Sequence, residues 1–184
     1  MSNLFKREVE KKLAEHCKIL GFKKKKYNFY KPLNADVFAT IGFGIAMHAQ
    51  KGHVYVNVTI GVSNKKVEEL KAKLTGYNSL DVMQPTLGIQ IGYLMKENSF
   101  KEWDFTENKD NSIVYDDLFK NIQNYGFEYH EKMKNIDTLL ESIEKRVPGV
   151  LNHAREKYLP IIYYLNGNKI KGIEFIDKTI NMYK

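Results

Sequence analysis

The sequence predicts an α+β fold: an antiparallel β-sheet of about four to five strands, an N-terminal helix, and a helical C-terminal region that ends in an αα-hairpin. Three observations carry this expectation. From Val37 to Ala49 every odd position is apolar, and from Val54 to Val62 every even one is. Alternation with period two over such a length marks two half-buried strands. Lys51-Gly52 between them reads as a turn, which sets Met47 opposite Val56 and Ile41 opposite Val62 and gathers the apolar residues on one face. From Asn111 onward the apolar spacing turns helical and stays so. Strands followed by helices define the α+β class, with residues 1–110 as helix and sheet core and 111–184 as a helical region packed on it in one domain.

In chain order, Ser2 can cap a first helix carrying Phe5, Val9, Leu13, Cys17 and Leu20, with Gly21 as its stop. FKKKKYNFYK predicts one edge strand beginning near Lys25, with Lys25, Tyr27 and Phe29 on one face and Lys24, Lys26 and Tyr30 on the other. Pro32-Leu33-Asn34 turns into the long hairpin. Asn64 opens a second helix with Val67, Leu70 and Leu74 inward, closed by Gly76. Past Pro85, Leu87, Ile89, Ile91 and Tyr93 alternate inward in a further strand, and a weaker strand spans Lys101 to Thr106 with Trp103 and Phe105 inward. Tyr115, Leu118, Ile122 and Tyr125 line a helix stopped by Gly126, and Ile136, Leu139, Leu140 and Ile143 line one ended by Pro148. Leu151, Ala154 and Tyr158 begin the next, which Pro160 must kink or divide. Asn166-Gly167-Asn168 turns into a last helix with Ile170, Ile173, Ile176 and Ile180 inward.

Composition narrows the function classes. No apolar run reaches the roughly 18 residues that span a bilayer, so no membrane partner is expected. The charged N-terminus lacks a secretory apolar core, and a lone Cys17 fits a reducing compartment, so the expected location is the cytoplasm. The net charge of +7 is concentrated: residues 1 to 31 hold ten Lys or Arg against three Glu, and the remainder is balanced.

The helix ending in LGF, the run KKKKYNFYK, the strand VYVNVTIGV and the later NYGFEYHEKMKNIDTLLESI together resemble a mostly bacterial domain-of-unknown-function family, number forty-three oh four. The resemblance covers roughly residues 5 to 145. It implies this fold and a bacterial origin, and it brings neither an activity nor catalytic residues.

Two candidate surfaces follow from the residues themselves. Thr40, Gly42, Gly44, Gly61, Gly88 and Gly92 fall on the non-core side of their strands. Bare glycines on a strand face mark the close approach of a ligand or of another backbone. Tyr55, Asn57, Thr59 and Gln90 would supply the polar groups of a binding face there. The same small residues also suit a helix packing closely or a bent sheet. The alternative surface is nucleic-acid binding through Lys23, Lys24, Lys25, Lys26, Tyr27 and Tyr30, joined by lysines of the first helix. An ordinary solvated edge strand explains those lysines equally.

His48 and His53 flank the hairpin turn without nearby acidic ligands, and no metal or cofactor is expected. His16 and Cys17 point about 100° apart on a helix, so they are not a chelating pair. No GxGxxG, Walker A, GxSxG or HExxH pattern occurs. The reading is a non-enzymatic, protein-binding module, immunity-type in one version, with a nucleic-acid-binding protein as the alternative.

Overall fold

The computed structural model describes residues 3–46, 50–147 and 152–184. The expectations placed on Ser2, Met47, His48, Ala49, Pro148 and Leu151 lie outside these residues. Helix α1 (Asn3–Ile19) buries Val9, Leu13 and Cys17 and ends as expected. Gly21 takes φ +83°, and the Phe22 amide reaches back to the Cys17 carbonyl.

Among the described residues, six strands form one antiparallel sheet: β1 (Lys23–Lys25), β2 (Asn28–Pro32), β3 (Val37–Ala46), β4 (His53–Asn64), β5 (Leu87–Gln90) and β6 (Trp103–Thr106). The spatial order is β1-β2-β3-β4-β5, and β6 pairs with the first half of β4 while β5 pairs with its second half. The long β4 is therefore the spine of the sheet. Its Val54, Val56, Val58, Ile60 and Val62 are fully enclosed, as the alternation predicts. The register is two residues off the expected one: Ile41 faces Ile60, and Ala39 faces Val62. A shift of two keeps every side chain on its own face, so the pattern alone cannot detect it.

The tetralysine segment differs more. Lys26 adopts φ +52°, and the chain reverses at Lys26-Tyr27, so one expected strand becomes the tight β1–β2 hairpin. Lys24 faces Phe29 across it and shares the core face, whereas Lys23 pairs with Tyr30 on the other. The additional strand in the sheet arises here.

Helix α2 (Lys65–Thr75) begins at Asn64, whose side chain accepts from the Val67 amide, and stops at Gly76 with φ +73°. Val67 and the half-buried Leu70 face inward as expected, but the rest of the inward face does not follow the apolar spacing. Val67 is buried together with Glu68 and Lys71, while Leu74 is 69% exposed. Strand β5 stops at Gln90, whose side chain accepts from the Gly92 amide and opens a 3-10 turn over Ile91–Tyr93. Tyr93 consequently leaves the alternation and is partly exposed.

Helix α3 (Ser112–Asn121) does not stop at Gly126. It widens into a π-turn over Ile122–Gly126 and continues as α4 (Phe127–Met133). Gly126 serves packing instead: a Cβ there would stand 3.1 Å from Ile60 Cδ1. Helix α5 (Ile136–Glu144) buries Leu139 and Ile143. Pro160 lies within α6 (Asn152–Leu165) without dividing it. Helix α7 (Lys169–Met182) returns along α6 after Gly167, at φ +77°, and Asn168, which caps it. The αα-hairpin exists, but its orientation reverses the expectation. Gly172 is the residue of α7 set against Tyr163 and Pro160 of α6, and the isoleucines point outward. Helices α1, α3 and α4 cover the apolar face of the sheet, and one contiguous core runs from Val9 to Tyr163. No helix among the described residues is long and apolar enough to cross a membrane.

Candidate functional site

The strand register lays the non-core face out in rows. One row crosses five strands as Lys25, Asn28, Gly42, Thr59 and Gln90, and the next as Lys23, Tyr30, Thr40, Gly61 and Gly88. The second row is covered at Thr40 and Gly61. From Ile60 to Asn64 every residue of β4 is buried, because the segment from Ser79 to Thr86 crosses this face. Pro85 Cβ would be 2.6 Å from a Cβ on Gly61, so the glycine admits the neighbouring backbone rather than a ligand. Toward the β3–β4 turn the face is open around Gly44, with Tyr55, Asn57 and Thr59 half-buried. Their polar groups are largely engaged. Tyr55 Oη donates to Gln50 Oε1 at 3.2 Å, and Asn57 lies over Gly44. Gln90 donates to the Lys101 carbonyl and accepts from the Gly92 amide at 2.8 Å. The four expected binding residues thus lie on one face but do not converge on a concave site.

The basic segment behaves differently. The β1–β2 hairpin and α1 enclose a groove of about 470 Å³ against β3. Lys6 comes from α1, Lys24, Lys26 and Tyr27 from the hairpin, and Phe29 and Phe43 form the floor. Lys24 Nζ stands 5.7 Å from the Phe29 ring centroid. Among the described residues, Lys24 and Lys26 make no ion pair, and Lys6 has a distant one with Glu10 at 3.9 Å. Tyr27 is 83% exposed at the hairpin tip. The structure therefore splits the expected basic set. Lys24, Lys26 and Tyr27 meet Lys6 at the groove; Lys23, Lys25 and Tyr30 lie on the opposite face, where Tyr30 packs edge-on against Phe38 at 6.1 Å.

A buried polar cluster has no counterpart in the sequence reading. Glu68 accepts from Lys71 and Ser79 with one oxygen and from Thr86 Oγ1 at 2.6 Å with the other. Lys71 Nζ also lies 2.7 Å from Ser79 Oγ and 3.1 Å from Tyr158 Oη, which ties α2 to α6. Burial, then the Glu68 charge, pushes the Tyr158 hydroxyl well above its ordinary range. Ser79 beside Lys71 has the elements of a nucleophile and a base. Ser79 is wholly enclosed, however, and the Lys71 ammonium is held by a carboxylate, so the cluster serves as a clamp rather than a reaction centre. In sequence the pair is an ordinary i,i+3 ion pair, and nothing marks it as buried.

His53 Nδ1 lies 2.8 Å from an oxygen of Asp104 on β6. Among the described residues, no three His, Cys, Asp or Glu side chains come together to hold a metal ion. His16 stacks on Phe119 at 4.6 Å, and burial pushes the Cys17 thiol up to about 12. Cys17 is a core residue, and His16 lies half-buried at its edge.

No family model matches this chain, and neither a curated protein nor a solved structure matches it.

Proposed function

We propose that the protein is a non-enzymatic protein-interaction module of the bacterial cytoplasm whose docking surface is α7 rather than the glycine-lined sheet face. The observation that carries this is the outward row on α7: Ile170, Ile173, Ile176 and Ile180 are 74%, 58%, 41% and 49% exposed. Tyr164, 52% exposed at the end of α6, extends it. Scattered apolar residues are ordinary on a surface, but aliphatic side chains in one helical row are a contiguous patch of the kind that partners cover. The five side chains leave on the order of 500 Å² open, so covering them with a matching face would remove about 1,000 Å² in total, the lower range of specific interfaces. The partner chemistry this favours is an amphipathic helix with aliphatic residues at i, i+3 and i+7 spacing. Occlusion of a target by an immunity-type protein is one form such binding takes.

The test compares the parent with an Ile173→Glu/Ile176→Glu variant. The parent should retain a stoichiometric, nuclease-resistant protein partner, and the variant should lose it while unfolding at the same temperature. Light scattering of the purified chain adds the case of a second copy, as a dimer that the same substitutions dissociate. A monomeric parent whose partner capture is unchanged in the variant overturns the proposal.

A further inference from the structure

The groove between α1 and the β1–β2 hairpin lies apart from α7 and carries its own chemistry. Three lysines, Lys6, Lys24 and Lys26, and one carboxylate, Glu10, line it from two separate elements, with Phe29 and Phe43 among the apolar residues. Its volume of about 470 Å³ is that of a site for a small ligand or a short segment. Tyr27 stands beside it with its ring largely in solvent, and the backbone reversal at Lys26 sets this aromatic at the tip, next to a cation. Lys24 and Lys26 make no ion pair among the described residues, and three cations against the one carboxylate of Glu10 favour an anion. An exposed aromatic ring beside them favours a flat, polarisable group attached to that anion.

The geometry points to a binding site for a short single strand of nucleic acid, with phosphates against Lys6, Lys24 and Lys26 and a base stacked on Tyr27. A duplex fits less well, because its bases are already stacked and offer Tyr27 no open face. On α1, a turn of 100° per residue places Arg7, Lys11 and Lys18 on the flank next to Lys6 and Glu10, where they would follow the backbone beyond the groove. This site goes beyond the interaction surface on α7, and either can fail without the other.

The tetralysine segment supplies its own control. Lys24→Glu/Lys26→Glu and Lys23→Glu/Lys25→Glu change the net charge equally, within one run of four consecutive residues, but on opposite faces of the sheet. The probe is a short fluorescein-labelled oligothymidine, or its RNA equivalent, followed by anisotropy. The parent should bind at low salt, with a log–log salt slope of about −2 for three phosphate contacts. The groove pair should lose about tenfold or more, and the opposite pair no more than about twofold. Tyr27→Ala should cost about tenfold without changing the slope. Thermal unfolding of each variant checks its fold, and Lys24→Gln/Lys26→Gln replaces the glutamate pair where that pair does not fold. Equal losses from the two pairs would show diffuse attraction and overturn the site, as would a parent that does not bind. Displacement of the strand by AMP at matched nucleotide concentration would assign the groove to free nucleotides instead and overturn the strand reading.

Discussion

Glu68 and Lys71 stand three residues apart on α2 and both point into the protein, where Lys71 donates to a carboxylate that is wholly enclosed. Removing one partner of a buried pair leaves the other charged and unsolvated, a penalty larger than the worth of the pair itself. Lys71→Met should therefore destabilise the protein by about 3–5 kcal/mol in urea unfolding, and adding Glu68→Gln should recover a large part of that. Losses that simply add in the double variant would contradict the clamp.

His130 is buried on α4, its Nε2 donating to the Thr40 carbonyl at 3.2 Å. Burial lowers its pKa to about 4, the Thr40 bond and the Glu131 charge oppose that shift, and Lys31 adds to it. The native state thus holds a neutral imidazole where the unfolded chain, with its ordinary value near 6.5, takes up a proton first. Stability is complete above about pH 6.5, falls as pH drops toward 4, and levels off below that, a loss of roughly 3 kcal/mol from this group. Urea unfolding of His130→Gln across this window should show a flatter pH dependence than the parent; identical slopes would remove His130 as the cause.

Cys17 is fully enclosed in α1, with its thiol pushed up to about 12. Since only the thiolate reacts, labelling by a disulfide reagent at pH 8 should be negligible in the native protein and complete on unfolding in guanidinium. Fast labelling of the folded protein would show that α1 opens locally.

The sheet was largely legible in the sequence because its signal is repeated: five alternating apolar residues in β4 specify both a strand and its buried face. The caps of α2 were legible for a similar reason, since Asn64 and Gly76 each act through local backbone chemistry. Helical spacing says which residues share a face, and not which face finds a partner. On α7 the face that packs is the one carrying Gly172, which lets α6 come close, so the more apolar face is left outside. On α2 the inward face carries an ion pair whose burial depends on Ser79, Thr86 and Tyr158, all outside the helix and the last of them 87 residues from Lys71. The groove was half legible: the basic and aromatic residues stood out, and alternation separates Lys24 and Lys26 from Lys25, but the reversal that brings Phe29 and Tyr27 to the side of Lys24 depends on one positive φ at Lys26, which a run of lysines does not announce.

From β1 to β5 the order of strands in space is their order along the chain. Every partner in that series is therefore waiting when the next strand leaves the ribosome, and each pairing closes a short or moderate loop. Tyr158 reaches Lys71 only after 87 further residues have been synthesised. Once β6 has been made, and until Tyr158 follows, every strand is present while the α2 clamp lacks its last member, so the order of synthesis places the strands before the residue that locks α2 to α6.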